Sequence, residues 1–377
     1  MKCHAAVAAV WTVGLCVLFM RPAGAAEDDV WKRLAPYFEP PAQFAGRFGH
    51  YRSPLVFDNG QPVKTPADWQ RRRAEILAYW HRTMGPWPAL LEKPAVHVLD
   101  SRRRENFTQQ RLRIQISAGQ SGEGYLLIPD GSGPMPAVLV VFYEPLTSIG
   151  LNTDQRYARL DFALQLTRRG FVTLSIGSPG SAREPQTDGA ACQPLSFHAC
   201  VAANCHTALT AMPQVDARRI GVMGHSYGGK WAMFASCLYE KFAAAVWSDP
   251  GIVFDETRPN VNYWEPWYLG LDKLARRRPG VPTPENPRTG AYKVLVESGR
   301  DLHELHALMA PRPFLVSGGS EDPPERWLAL NHSVEVNRLL GYSARVGMTN
   351  RPSHAPTEES NDLIWLFFEW FLKKQKG

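Results

Sequence analysis

The chain has 377 residues, of which 44% are hydrophobic and 21% charged, with 30 glycines and 31 prolines. These fractions exclude a disordered chain, a collagen-like repeat and a small disulfide-stapled domain, because each of those classes has a strongly biased composition. The formal net charge is only +6, and the short arginine runs at 71–73, 102–104 and 276–278 stand among acidic residues. This pattern argues against a nucleic-acid partner.

The first 26 residues have the layout of a secretory signal peptide. Lys2 precedes an apolar run over 5–20, and small residues follow at Ala23, Ala25 and Ala26. The run is shorter than the roughly 20 apolar residues that span a bilayer. We therefore expect cleavage near Ala26, no membrane association afterwards, and a mature protein that is secreted or periplasmic.

Export bears on the interpretation of the cysteines. The mature chain keeps Cys192, Cys200, Cys205 and Cys237, and an even number in an oxidising compartment permits one or two disulfides. We predict a Cys205–Cys237 bond, because these residues fall on neighbouring predicted helices. The string HELH at 303–306 lacks the spacing of the zinc motif HExxH, so we expect no metal and no other cofactor.

The N-terminal part predicts a covering segment followed by a small antiparallel region. Residues 27–94 are rich in Trp, Pro and Arg and predict an N-terminal wrap with one helix at 66–81. Three β-prone runs then predict lead-in strands, at 95–99, 111–117 and 125–129.

From there the chain alternates apolar strands with helices. The predicted strands are 137–142, 171–176, 219–223, 243–247, 314–317 and 344–348, and the predicted helices are 156–169, 197–212, 230–239, 326–340 and 357–374. This alternation predicts an α/β fold in three layers, a mostly parallel sheet with helices on both faces. We expect one domain over 95–377, with a lid-like insertion at about 253–300, where prolines and aromatic residues interrupt the alternation.

The string GHSYGG lies between a predicted strand and a predicted helix and has the form G-x-S-x-G. Its glycines at 224 and 228 permit the sharp strand–turn–helix bend that exposes a serine hydroxyl at the carboxyl edge of a sheet. We predict that Ser226 is a nucleophile. His225, at the inner position of the turn, is expected to pack or to form a hydrogen bond.

A serine nucleophile needs a general base and a carboxylate that orients it. His354, in NRPSHAPT after the last predicted strand, has the position of the base. We favour Asp322, after the strand FLVSGG, as the acid, with Glu321 beside it as a further candidate. Asp249, one strand earlier, is the main alternative, because it reaches the same edge of the sheet.

Acyl transfer also needs donors for the developing oxyanion. We expect the backbone N–H of Tyr227 to be one of them. The second is expected from the turn after VLVVF, at Tyr143 or Glu144.

At these residues the chain resembles the α/β-hydrolases and, more narrowly, the glucuronoyl esterases of carbohydrate esterase family fifteen. The family motif G-C-S-R-x-G-K reads GHSYGGK here, and the family's acid, 23 positions after the serine, corresponds to Asp249. The resemblance covers about 95–374 and implies an α/β-hydrolase sandwich in which Lys230 contacts a sugar. Tyr227 departs from the family's arginine. GHSYGG also fits dienelactone hydrolases, acetylxylan esterases and prolyl-oligopeptidase-type peptidases.

Aromatic residues near the predicted site offer flat surfaces for sugar rings. Trp264 and Trp267 lie in VNYWEPWYLG, and Trp327 follows the acidic turn. Such side chains can stack on pyranose rings. The alternative is that they are core residues, with Trp264 and Trp267 on one helical face.

Three functions remain open from the sequence. The first is a secreted serine carboxylesterase that hydrolyses a glucuronoyl or acetyl ester of a polysaccharide through an acyl-enzyme. The second is a dienelactone hydrolase-like or prolyl-oligopeptidase-like enzyme for a small molecule or peptide, although 94 residues before the first strand are too few for a propeller. The third, a non-catalytic binding protein, is disfavoured because serine, histidine and acid are all in place.

Overall fold

The computed structural model describes residues 23–152, 154–275 and 277–374, with side chains from Asp29 onward. Most of the predicted signal peptide lies outside these residues. The first described helix, α1, begins at Ala23 and ends at Leu34.

One sheet organises the described part of the chain. Its nine strands are β1 Val96–Arg104, β2 Phe107–Gln115, β3 Ser121–Pro129, β4 Met135–Val141, β5 Val172–Ile176, β6 Val215–His225, β7 Ala244–Ser248, β8 Phe314–Gly318 and β9 Val346–Asn350. They lie in the order β1-β2-β3-β5-β4-β6-β7-β8-β9. The first three strands run antiparallel, and β4 to β9 are parallel to one another. The carboxyl ends of the parallel strands therefore meet at one edge.

Helices cover both faces of this sheet. Besides α1 they are α2 Pro66–Met84, α3 Pro145–Ser148, α4 Phe162–Arg168, α5 Pro194–Thr210, α6 Tyr227–Leu238, α7 Gly290–Glu297, α8 His303–Ala307, α9 Trp327–Leu339 and α10 Glu358–Phe368. One apolar cluster joins the sheet to α2 and α5–α9, and a second joins the other face to α1, α4 and α10. The predicted three-layer α/β fold class is confirmed. No helix among the described residues is long and apolar enough to cross a membrane.

The helix predicted at 156–169 is shorter than expected. Asp154 accepts the N–H of Arg156 and caps a single 3-10 turn, Gln155–Tyr157. Arg159 then has φ 65°, a left-handed conformation that ends a helix. The α-helix therefore begins only at Phe162.

The N-terminal segment packs on the same core as the sheet. On α2, Trp69, Ile76 and Trp80 have no exposed surface and belong to the larger cluster. The chain before α2 is fixed by α9, because the Asn331 side-chain amide donates to the carbonyl of Phe44 at 2.7 Å. The N-terminal wrap over 27–94 stays a prediction.

The predicted disulfide is absent from the described part of the chain. Cys192, Cys200, Cys205 and Cys237 are all free thiols, and each is buried. Burial raises the pKa of Cys205 to about 12 and that of Cys237 still further. The prediction is wrong because both side chains, on α5 and α6, pack as small apolar groups in the core.

Buried neutral histidines make this core sensitive to acid. His206 on α5 is 2% exposed, and its Nε2 lies 3.1 Å from the carbonyl oxygen of Lys241. Its Nδ1 is buried without a partner. Burial lowers the pKa of His206 from 6.5 to about 4. Between these two pH values the imidazole is protonated in the unfolded chain and neutral in the folded chain.

The free energy of unfolding should therefore fall as the pH drops below 6.5 towards 4. For a pKa of about 4 in the folded state and about 6.5 in the unfolded state, His206 alone should remove about 2 kcal/mol between pH 7.5 and pH 5. Urea unfolding of wild type and His206→Gln at both pH values measures this. The variant should lose about 2 kcal/mol less than wild type, whereas His97→Gln, at an exposed position on β1, should lose as much as wild type. Equal losses in all three proteins would contradict the assignment.

Candidate active site

The turn between β6 and α6 consists of Ser226. Its backbone has φ 56° and ψ −115°, which residues with a side chain rarely adopt. Gly228 lets the turn close, because a Cβ added there would lie 2.0 Å from the carbonyl oxygen of Val141. The Ser226 N–H donates to the carbonyl of Ser248 on β7 at 2.8 Å. The bend leaves Ser226 partly exposed at the carboxyl edge of the sheet.

The loop after β9 brings His354 to the same edge. Its Nδ1 lies 2.7 Å from Oδ2 of Asp249, and its ring centroid lies 4.7 Å from that of His225, the residue before Ser226. The Asp249 side chain is fully buried, whereas a third of the His354 side chain is exposed. With the Nδ1–H donated to a carboxylate, Nε2 is the nitrogen that can accept a proton.

The backbone after β7 aims Asp249 at this histidine. Asp249 has φ 48°, and its Oδ1 accepts the N–H groups of Gly319 at 2.6 Å and Asp322 at 2.9 Å. A Cβ at Gly319 would lie 2.6 Å from Oδ2 of Asp249, so the loop after β8 can close over the carboxylate only with glycine there. The Asp249 carboxylate is thus fixed before any substrate arrives.

Asp322, the favoured acid of the sequence analysis, does not face His354. Its carboxylate accepts the N–H groups of Gly251 at 2.8 Å and Ile252 at 2.6 Å. Asp249 therefore holds the loop after β8, and Asp322 holds the loop after β7. Burial, together with the neighbouring Asp249, raises the pKa of Asp322 to about 6. Glu321, the third candidate, accepts from the side-chain amide of Asn260 at 3.1 Å.

Arg351 is a positioning residue that the sequence analysis missed. Its guanidinium donates to the carbonyl oxygens of His354 at 2.7 Å, Ala355 at 3.0 Å and Ser317 at 2.7 Å. It thereby joins the histidine loop to β8. The signal available in the sequence was an arginine three positions before the predicted base, but its partners are backbone atoms that no local pattern identifies.

Comparisons with known proteins concern the family and the fold of this chain. Residues 97–257 match the family model of FrsA-like esterases. No curated protein matches the chain. A glucuronoyl esterase from Solibacter usitatus is similar in structure, with a TM-score of 0.66 and 19% identity over 85% of this chain and 97% of that one. The fold is that of the α/β-hydrolases.

Two further solved structures share this α/β-hydrolase fold. A glucuronoyl esterase of carbohydrate esterase family 15 from Teredinibacter turnerae has a TM-score of 0.62 and 18% identity, covering 93% of this chain and 100% of that one. A putative acetyl xylan esterase from Bacteroides fragilis has a TM-score of 0.55 and 15% identity, covering 92% and 90%. At these identities the likeness concerns the fold.

The expected oxyanion donors lie on both sides of Ser226. Tyr227 is the first residue of α6, where backbone N–H groups point out of the helix. The ring of Tyr143, in the turn after β4, stacks on that of Tyr227 with centroids 4.8 Å apart. The carboxylate of Glu144 caps α3 by accepting the N–H of Leu146 at 2.6 Å, and the backbone N–H groups of Tyr143 and Glu144 stay predicted as the second oxyanion donor.

The Tyr227 side chain points into the α/β-hydrolase core. Its hydroxyl lies 2.7 Å from Oγ of Ser178 and 2.8 Å from Nε2 of His198. The other ring nitrogen of His198 lies 2.7 Å from the carbonyl oxygen of Pro194. Burial lowers the pKa of His198 to about 4, so this ring is neutral. His198 and Ser178 were not identified from the sequence, because they approach Tyr227 from distant elements.

The four predicted sugar contacts are mostly inside the protein. Lys230 is 2% exposed, and Trp264 and Trp327 are 1% exposed each. The Lys230 ammonium donates to the carbonyls of Pro250 at 2.5 Å and Asn260 at 3.1 Å. Lys230 is covered by the segment after β7, to which Trp264 itself belongs, and the burial of these three side chains leaves little of their surface for a sugar.

Trp267 alone among these four is half-buried. The guanidinium of Arg183 lies 5.7 Å from its ring centroid. Because part of its ring reaches the surface, Trp267 can contact a substrate.

Proposed function

We propose that this chain is an exported serine esterase that hydrolyses a carbohydrate-linked ester, glucuronoyl or acetyl, through an acyl-enzyme. The observation that supports it most is the 2.7 Å contact between His354 and Asp249 beside the strained turn of Ser226. The match of residues 97–257 to FrsA-like esterases supports ester hydrolysis. The likeness in fold to glucuronoyl esterases supports the carbohydrate substrate.

In the first half of the reaction, Ser226 attacks the acyl carbon while Nε2 of His354 takes the hydroxyl proton. Asp249 holds the ring and stabilises the imidazolium that forms. The oxyanion of the tetrahedral intermediate accepts the N–H of Tyr227, and donors of this kind are typically worth about 3–4 kcal/mol each. His354 then protonates the departing alcohol, which leaves an acyl group on Ser226.

In the second half, His354 removes a proton from water, and the hydroxide attacks the acyl carbon. Collapse of the second tetrahedral intermediate returns the proton to Ser226 and releases the acid. All proton transfers pass through one imidazole.

A substrate panel tests the proposal. Purified mature protein is given p-nitrophenyl acetate, acetylated xylan and the benzyl ester of glucuronic acid, with Ser226→Ala as the matched blank. We expect hydrolysis of the aryl acetate and of at least one carbohydrate ester by wild type, and none above background by the variant. A phosphonofluoridate should label Ser226 in wild type.

Preference for the glucuronate ester would select the glucuronoyl form of the proposal, and hydrolysis of acetyl esters alone would select the acetyl form. Equal rates for wild type and Ser226→Ala on every ester would overturn the esterase proposal. For export, the mass of the protein recovered outside the cytoplasm should correspond to loss of residues 1–26.

A further inference from the structure

A cleft of about 470 Å³ opens between the β2–β3 hairpin and the turn after β4. Its walls are the facing ends of β2 and β3, the turn after β4 and the loop after β5. Tyr143 links this cleft to the turn of Ser226, because it lines the cleft and its ring stacks on that of Tyr227, the next residue, with centroids 4.8 Å apart. Ser178, on the cleft floor, contacts the hydroxyl of Tyr227. A substrate held at Ser226 can therefore extend into the cleft.

On the opposite side of Ser226, the segment after β7 is packed tightly. Lys230 and Trp264, which the sequence analysis expected to meet a sugar, are at most 2% exposed. Tyr263 and Tyr268 of the same segment are also buried, at 0% and 4% exposure. A substrate can therefore be accommodated in the cleft but not among these buried residues.

The charged groups of the cleft already have partners. Arg111 on β2 forms an ion pair with Glu123 on β3, with 2.7 Å between Nη2 and Oε2. The carboxylate of Glu144 is used by the N-terminal N–H groups of α3. An anionic ligand would need an unpaired cation, and a cationic one an unpaired carboxylate. This lining favours a neutral ligand.

The remaining lining offers amides and aromatic faces. The side-chain amides of Gln120 and Gln186 meet at 3.3 Å across the cleft. Tyr125 and Tyr143 contribute rings, and Tyr143 is 41% exposed. A purely apolar chain would leave Oε1 of Gln120, which is buried without a hydrogen-bond partner, still unsatisfied. Neutral molecules with many hydroxyls and flat ring faces, which is to say sugars, fit both features.

We propose that this cleft binds the glycan part of the substrate, as a neutral chain of sugar units that continues from the ester at Ser226. The proposal rests on the esterase function proposed above and adds where the glycan lies. The volume is in the range of ligand-binding pockets, about 300–1,000 Å³. Tyr125 contacts a ring face, and Gln120 and Gln186 accept and donate to hydroxyls.

Two variants test the cleft. Tyr125→Ala removes a ring from its wall. Gly122→Phe fills it, because Gly122 lines the cleft on β3 and a Cβ there meets only the Ile116 side chain, at 3.5 Å. The matched control is Tyr342→Ala, which removes a tyrosine that is 43% exposed outside the cleft. None of these residues belongs to the catalytic machinery.

The readout is KM and kcat for acetylated xylotetraose, for the benzyl ester of an aldotetrauronic acid, and for p-nitrophenyl acetate. For whichever oligosaccharide ester wild type hydrolyses, we expect Tyr125→Ala to raise KM about 5- to 10-fold, as loss of a ring contact should. Gly122→Phe should raise it at least as much. Both variants should keep wild-type kinetics on the aryl acetate, which also shows that they fold, and Tyr342→Ala should match wild type throughout.

The outcomes separate the two proposals. Equal changes on the aryl acetate and on the oligosaccharide ester, or no change on either, would overturn the glycan cleft and leave the esterase intact. Hydrolysis of the aryl acetate but of neither oligosaccharide ester would overturn the proposal that the ligand of the cleft is a glycan. Failure of wild type on all three esters would overturn the esterase proposal itself.

Discussion

Asp249→Asn is expected to lower kcat for any hydrolysed ester by about 10³–10⁴-fold. Asparagine keeps the size of the side chain, and its oxygen can still accept the N–H groups of Gly319 and Asp322 that Asp249 accepts at 2.6 and 2.9 Å. Its amide nitrogen, which takes the place of Oδ2, cannot accept the Nδ1–H of His354. The imidazole then loses the tautomer that leaves Nε2 as the base, and the imidazolium loses its counter-charge.

The matched variant is Asp322→Asn, at the other buried carboxylate of the same sheet edge. Its side chain contacts the N–H groups of Gly251 and Ile252, so we expect kcat to fall less than about tenfold and the free energy of unfolding to fall by about 1–3 kcal/mol. Steady-state kinetics and urea unfolding of both variants measure the contrast. The reverse order of the two kcat losses would assign the acid to Asp322. Two equally mild losses would mean that neither residue is the acid.

Lys230→Met is expected to lower the free energy of unfolding by about 2–4 kcal/mol, because two hydrogen bonds from a buried ammonium are lost and their carbonyl acceptors stay buried. Methionine has a similar length and fills the same space. The ammonium contacts Pro250 and Asn260 and lies 4.9 Å from the ring centroid of Tyr263. Burial lowers the pKa of Lys230 to about 8, so the ammonium is retained at pH 7.

Urea unfolding at pH 7 tests this prediction, with Lys241→Met as the control. Lys241 is exposed at the start of the turn before β7, and surface substitutions of this kind stay within about 0.5 kcal/mol. An unchanged stability of Lys230→Met would mean that the desolvation of the ammonium cancels its two hydrogen bonds. In that case Lys230 would not anchor the segment after β7.

Local patterns predicted the nine strands and the strand–turn–helix around Ser226. Each parallel strand is an apolar run, and each covering helix has an apolar stripe, so burial on both faces of the sheet follows from residues close in the sequence. The helix predicted at 156–169 is an exception. The left-handed backbone of Arg159 interrupts it, and the pattern of apolar residues does not reveal this conformation. The disulfide prediction was wrong because Cys205 and Cys237 are buried free thiols packed in the apolar core, which their places on neighbouring predicted helices do not reveal.

The sequence by itself determined which residues are candidates for nucleophile and base. Ser226 is defined by glycines two positions away on either side, and His354 by its place after the last strand. Both signals are local, because the turn conformation depends on adjacent residues. The tertiary structure decided which carboxylate faces His354, since Asp249 and Asp322 end neighbouring strands and differ only in where their loops direct them. It also decided that Lys230 on α6 and Trp264 in the segment after β7 are both buried, because their exposure depends on how that segment packs against α6.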